Sequence, residues 1–282
     1  MGSKKSVGAI VYKCFQYLVC ILLTLICIMP FVIMVINSTR NTGQIQSHAI
    51  SLIPSTHLKD NFIALTGKNF NPLIGFMNSC IISIGVTFCT IYFSTMTAFA
   101  LVAYDWKLRK AFFTLIMCVL MIPAQVSGIG FYKFMFSIGW ANNFAALILP
   151  AIAAPSTVFF MRQYMMSSLP MEILQSARID GAGEFRIFNQ IALPMMKPAM
   201  ATQAIFAFVS SWNNLFLPMI LLTDKAKYTM PIMVAQLNGD AYRTEYGSVY
   251  LGLTLTVLPL FVIYFLLSKY IIAGVALGGV KE

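Results

Sequence analysis

The sequence predicts an all-helical membrane protein, a single transmembrane domain over residues 1–282 with six crossings, and three observations carry that prediction. Hydrophobic residues make up 59% of the chain and mean hydropathy is +0.80, whereas soluble domains are about half apolar and a quarter charged. Charged residues amount to only 10%. Six separate stretches are long and apolar enough to cross a hydrocarbon layer, which takes about twenty residues.

The first stretch, 15–36, follows Lys4, Lys5 and Lys13. It is longer than the apolar part of a signal peptide and runs into Asn37-Ser38-Thr39-Arg40 without a small-residue cleavage site, so it reads as a span. Segment 37–75 is mixed and polar, and its His48 and His57 lack carboxylate or cysteine company at metal-ligand spacing; they read as solvated loop residues. The second span, 76–104, opens on Asn78 and Ser79. The third, 111–131, carries Pro123 followed by Gln125, Ser127 and Gly128. The fourth is 144–161. The fifth, 199–223, is interrupted by Trp212, Asn213 and Asn214, and the sixth is 249–268. Pro123, Pro150, Pro155, Pro218 and Pro259 are expected to bend or end helices. The six cysteines fall in or beside apolar segments without a C-x-x-C pair, which makes them packing residues.

Charge sets the expected orientation. With six spans the termini share a side, and that side, including the loop 162–198, holds twelve of the 19 Lys and Arg residues against seven opposite. The positive-inside bias places both termini and that loop in the cytoplasm. The net charge of +10 is scattered rather than clustered, so it points to the bilayer and not to nucleic acid. No span has an ionisable residue in its interior, so a proton relay is missing and energy is expected from a partner. There is no phosphate-binding G-x-x-x-x-G-K-[ST] loop, no H-E-x-x-H and no G-x-S-x-G, so neither catalysis nor a metal or cofactor is expected in this chain.

The polar stretch between the fourth and fifth spans gathers Glu172, Arg178, Asp180, Glu184 and Arg186. Ser167 and Ser168, then Pro170 and Glu172, read as a helix start with a capping hydroxyl, a proline needing no N–H and an acid at the positive end of the dipole. That helix should run to about Asp180 and end at Gly181. A second is expected from Glu184 to about Ile191, stopped by Pro194 and Pro198. On the first, Ile173, Leu174 and Ala177 share a face, and the small Ser176 and Ala177 allow a close approach.

These residues resemble the cytoplasmic E-A-A-x3-G-x9-I-x-L-P loop of ABC importer permeases. Ala177, Gly181, Ile191, Leu193 and Pro194 stand at matching positions, while Gln175-Ser176 replace the leading Glu-Ala; the missing acid has a candidate substitute in Glu172. I-D-G-A-G at 179–183, W-N-N-L-F-L-P at 212–218 and the tail 274–281 look like the carbohydrate branch with the maltose-type permeases.

The resemblance implies a type I importer permease of a bacterial or archaeal cell membrane: half of a translocation pathway for a sugar, in that branch an oligosaccharide. Its implied partners are a second homologous permease subunit, two ATPase subunits that hold ATP and magnesium, and an extracytoplasmic sugar-binding protein. ATPase docking would fall to Glu172, Gln175, Ser176, Ala177, Asp180 and Gly181. The uncharged polar groups Asn78, Trp212, Asn213 and Asn214 are candidate pathway residues, since amides and an indole suit a polyhydroxylated solute. Asn238, Gly239, Asp240 and Tyr242 lie in the loop expected to reach the binding protein. Glycerol phosphodiester importers have similar permeases and form the alternative; a self-sufficient secondary transporter fits less well, for want of ion-coupling residues.

Overall fold

The computed structural model describes residues 7–67, 70–237 and 245–279, and among these every regular element is helical. Asn238, Gly239, Asp240 and Tyr242 therefore lie outside the described residues. The chain divides into two compact units, Met1–Asn71 with Val234–Val257, and Pro72–Met233 with Leu258–Glu282.

In the first unit, α1 (Val7–Ser38) is an apolar helix with Pro30 inside it. Its most apolar window is buried against nothing in this chain, so its surface is left to lipid or another subunit. Two short helices follow, α2 (Thr42–Ser47) and α3 (Leu58–Gly67). They are organised around the buried Arg40, whose guanidinium donates to Asn37 Oδ1 (2.9 Å), His48 O (2.8 Å) and Gln44 O (2.8 Å). A buried cation is tolerable only with its donors satisfied, and here carbonyl dipoles do it in place of a carboxylate. Asn61 closes the turn by donating to Ser38 O and Arg40 O. His57 is not simply solvated as expected: its Nδ1 lies 3.2 Å from Asp60 Oδ2 and its Nε2 3.3 Å from Asn41 Nδ2. The i, i+3 spacing of His57 and Asp60 on the first turn of α3 brings them together.

The second unit is built around α4 (Pro72–Ala103), which packs against α8 (Pro155–Ser168) and α12 (Lys197–Trp212). Its buried face is rich in small residues, Ser79, Ser83, Ser94, Thr95 and Ala98 among them. Such residues let helix backbones approach inside a bilayer, where burial of apolar surface supplies no drive. At Gly85 a Cβ would stand 2.9 Å from Ile148, so the contact requires glycine.

Two predicted spans are not continuous helices. Residues 111–131 fall on α5 (Arg109–Leu120) and α6 (Ala124–Ser137), which are separated at Met121, Ile122 and Pro123. Pro123 has no N–H to give and disfavours a helical Ile122, so the chain turns there. At about 1.5 Å per residue, neither piece alone reaches across roughly 30 Å of hydrocarbon. Residues 199–223 fall on α12 and α13 (Phe216–Leu221), interrupted at Asn213, Asn214 and Leu215 as the polar run suggested.

Among the described residues four helices are long and apolar enough to cross, Val11–Ser38, Pro72–Ala103, Ala145–Ser168 and Tyr246–Phe265, or up to five if the bent pair Glu184–Met195 and Lys197–Trp212 counts as one span. That is short of the six expected. Within Ala145–Ser168, α7 (Ala145–Ile148) passes through a tighter turn at Leu149–Ile152 before α8, with Pro150 in the turn and Pro155 opening α8. Pro259 does not end its helix: it lies within the continuous α15 (Tyr246–Gly279), which α14 (Met230–Leu237) precedes in the chain.

Candidate functional site

The polar stretch folds as two helices, α9 (Met171–Ile179) and α10 (Glu184–Ile187), the latter running through a wider turn at Phe188–Ala192 into α11 (Leu193–Met195). The start of α9 differs from expectation. Ser167 and Ser168 end α8, Ser167 Oγ donates back to Tyr164 O, and Pro170 takes the cap position without a side-chain cap. Glu172 does occupy the first turn, exposed.

The end of α9 is as the glycine suggested. Gly181 has φ +78°, Gly181 N–H donates to Arg178 O and Ala182 N–H to Ala177 O, both at 3.0 Å. This is the paired-bond closure that needs a left-handed residue. The second helix does not stop at Pro194 or Pro198: both occupy first-turn positions, of α11 and α12, where a missing N–H costs nothing. The turn between them falls at Met196, where the axis bends by 80°.

One face of α9 is sunk into a core. Leu174 is fully buried and Ala177 nearly so, packed with Phe99 of α4, Met161 and Met165 of α8, and Ile187 and Phe188. Ala177 is thus used within the chain, and Ile173 does not share its burial. Glu172, Gln175, Ser176, Asp180 and Gly181 are exposed. Beside them stand Ile173, Ile179 and Phe185, the latter two 87% and 72% exposed; of these the sequence pointed only to Ile173, and to that as a face-mate of Leu174 and Ala177.

The two helices are tied together and to the end of α4 by a three-residue cluster. Arg178 donates from Nε to Glu184 Oε1 (2.7 Å) and from Nη2 to Glu184 Oε2 (3.2 Å), while the Tyr104 hydroxyl donates to Glu184 Oε2 at 2.6 Å. The Arg178 guanidinium lies 5.3 Å from the centre of the Tyr104 ring. Hydrogen bonds from Arg178, then from Tyr104, hold the Glu184 carboxyl below its usual pKa, and the same pairing raises that of Arg178. Tyr92 adds a second link, donating to Asn189 Oδ1 at 3.2 Å. A separation of six residues across a turn is no helical period, so the Arg178 and Glu184 pairing had no sequence signal.

A cavity of about 510 Å³ lies between α4, the 149–157 region, α12 and α13. Its polar lining consists of Thr90, Ser156, Thr157, Gln203, Ser210, Ser211 and Asn214, and no ionisable side chain is among the lining residues. Gln203, Ala207 and Ser210 recur at steps of four and three, so α12 turns one polar or small stripe toward it, and Asn214 in the break after α12 continues the lining. That stripe was legible in the sequence.

Of the four pathway residues expected, Asn214 alone lines this cavity. Asn78 is buried with its amide donating to Ala226 O and Tyr228 O, both at 2.9 Å. Trp212 is buried between Phe208, stacked at 5.7 Å, and Phe76 at 5.8 Å edge-on. Asn213 is exposed away from the lining.

Residues 90–276 match the family described as "Binding-protein-dependent transport system inner membrane component". The chain is 37% identical over 258 residues to the arabinooligosaccharides transport system permease protein AraQ of Halalkalibacterium halodurans, covering 91% of this chain and 92% of that one. It is 27% identical to the sn-glycerol-3-phosphate transport system permease protein UgpE of Yersinia pestis, covering 92% and 94%. Its fold matches a chain from the crystal structure of a bacterial ABC transporter involved in the import of the acidic polysaccharide alginate, with a TM-score of 0.79 at 20% identity, covering 95% of this chain and 99% of that one.

Proposed function

Since the chain belongs to the binding-protein-dependent inner-membrane components, the multi-pass permease subunits of ABC importers, we propose that it forms half of the pathway for a neutral oligosaccharide and is driven through α9 by a separate ATPase. The observation that carries this reading is the two-faced α9. Its buried face and the Tyr104–Glu184–Arg178 cluster bind it to α4, while its exposed side carries Glu172, Gln175, Ser176, Asp180 and the exposed apolar Ile173 and Ile179, with Phe185 of α10 beside them. A helix held on one side and open on the other works as a lever: closure of an ATPase dimer on ATP and magnesium displaces it, and α4, α8 and α12 follow as packed bodies. No chemistry is asked of this subunit.

A neutral solute is favoured over a phosphate ester by the cavity. Its lining offers hydroxyls and amides without a cation, and an anion moved from water into such a site loses hydration without an opposite charge. In this arrangement the 162–198 segment is cytoplasmic, and a binding protein delivers solute to the opposite side.

The test is purification from the native membrane in mild detergent, followed by uptake measurements in proteoliposomes. We expect a second permease and a Walker-motif ATPase to accompany the chain, and ATP-dependent uptake of arabinooligosaccharide that glycerol 3-phosphate does not compete. Recovery of the chain alone after crosslinking would remove the lever reading, and competition by glycerol 3-phosphate would move the substrate to the phosphate class.

A further inference from the structure

At the end of the unit away from α9, one residue holds an unusual position. Asn142, between α6 and α7, has φ 57°, the only non-glycine among the described residues in the left-handed region. Asparagine tolerates that conformation better than most residues. Its backbone N–H donates to Leu221 O at 2.8 Å, and its side-chain Oδ1 accepts from both Thr223 N–H and Asp224 N–H at 3.2 Å. Its carbonyl accepts from Lys227 Nζ at 2.6 Å. One residue thus grips the strap 222–230 at three points and the end of α13, just before it, at a fourth.

The strap is held from its other side by α4. Asn78 donates to Ala226 O and Tyr228 O, and Met230 N–H donates to Ser79 Oγ at 3.0 Å. Under it lies an apolar plug of Ile82, Leu222 and Ile232 with Val86, Leu147 and Tyr228 packed around them. Ile82, Val86 and Leu147 also line the cavity, so the plug is the cavity's ceiling on that side. The closed arrangement is not free of cost: the hydroxyls of Thr229 in the strap and Ser83 on α4 are buried without a protein partner. Grip and cost on the same segment are what a two-position element requires.

We propose that Asn142 is the positioning residue of a latch that keeps the strap 222–230 and its plug closed over the cavity on the side opposite α9, and that the latch must release for solute to enter. This rests on the importer reading above. The latch side is then the side on which the binding protein delivers.

The experiment uses the complete reconstituted importer, with a cysteine placed in the cavity by Ser210→Cys and a membrane-impermeant methanethiosulfonate added from either face without nucleotide. The native cysteines are measured on the chain lacking that substitution. With Asn142 intact, labelling from the latch side should stay at the native background. Asn142→Gly keeps the left-handed backbone but removes the acceptor of two hydrogen bonds, and labelling from that side should rise about tenfold. Asn142→Asp retains acceptor and backbone preference and should stay at the parental rate. Lys227→Met removes one grip without touching the turn; it should raise the rate less, and it carries the test alone if Asn142→Gly does not assemble. If neither Asn142→Gly nor Lys227→Met raises the rate, or if Asn142→Asp raises it as much as Asn142→Gly, the latch is overturned while the importer reading stands. If Ser210→Cys is labelled from neither face in any nucleotide state, the cavity is not part of a pathway and both readings fall.

Discussion

Gly181 is the residue on which α9 depends most directly. At φ +78° a β-branched side chain is strained whatever the space around it, and the space beside Gly181 is open. The penalty is therefore conformational, about 1–2 kcal/mol, and smaller for asparagine. Gly181→Val should reduce uptake strongly while Gly181→Asn retains most of it; equal activity of the two in proteoliposomes would show that the turn is not what transport needs. Glu184 gives a pH prediction. Its carboxyl is held below the usual range by Arg178 and Tyr104, so its contribution is full above the ordinary carboxylate pKa of about 4.3 and is lost as pH falls through the depressed value. The group is about half exposed, so the effect is worth about 1 kcal/mol or less. Thermal unfolding of Glu184→Gln should fall below the parent at neutral pH and converge with it in acid; a gap that does not close would assign the loss to packing.

At the scale of the element, α12 carries the clearest prediction. Its stripe of Gln203, Ala207 and Ser210 faces the cavity, and one hydrogen bond to a solute hydroxyl is worth about 1 kcal/mol. Gln203→Ala should therefore raise the KM for uptake about fivefold, with ATPase activity unchanged; an unaltered KM would take Gln203 out of the pathway. Elements also show what was legible in the sequence and what was not. Helix α1, the long α4, the glycine closure of α9 and the interruption after Trp212 all follow from local pattern: apolar length, a left-handed residue, a polar run. The break at Pro123 was visible as a proline, yet the apolar run across it gave no sign that both halves are too short to cross. Asn78 and Trp212 looked like pathway groups because they are polar in apolar surroundings. Their partners, Ala226, Tyr228, Phe208 and Phe76, are mostly brought near by tertiary packing, which no spacing encodes. The bundling of Arg178, Glu184 and Tyr104 was hidden for the same reason, since Tyr104 lies 80 residues from Glu184.

For the molecule as a whole, α4 is the member that touches everything the proposal needs. One of its ends reaches Tyr104 and α9, its middle packs on α8 and α12, and its other end holds the strap through Asn78 and Ser79. In the proposed mechanism α4 is the packed body through which a push on α9 would be passed to the cavity and the latch. This view separates the two faces of α9. Leu174 is fully buried in the core that joins α9 to α4 and α8, and Leu174→Ala should cost about 2–5 kcal/mol of stability through the cavity it leaves. In that variant the link is loose but the docking face is intact, so the ATPase should still copurify while more ATP is hydrolysed per solute imported. Ile173, on the open side and 44% exposed, should behave in the opposite way. Ile173→Ala should leave the thermal midpoint of the subunit unchanged and weaken retention of the ATPase, because truncating an exposed apolar side chain costs the folded chain little but removes area from an interface. Copurification and the ratio of ATP hydrolysed to solute moved, measured on both variants, decide between a lever with two distinct faces and a surface loop in which the two substitutions act alike.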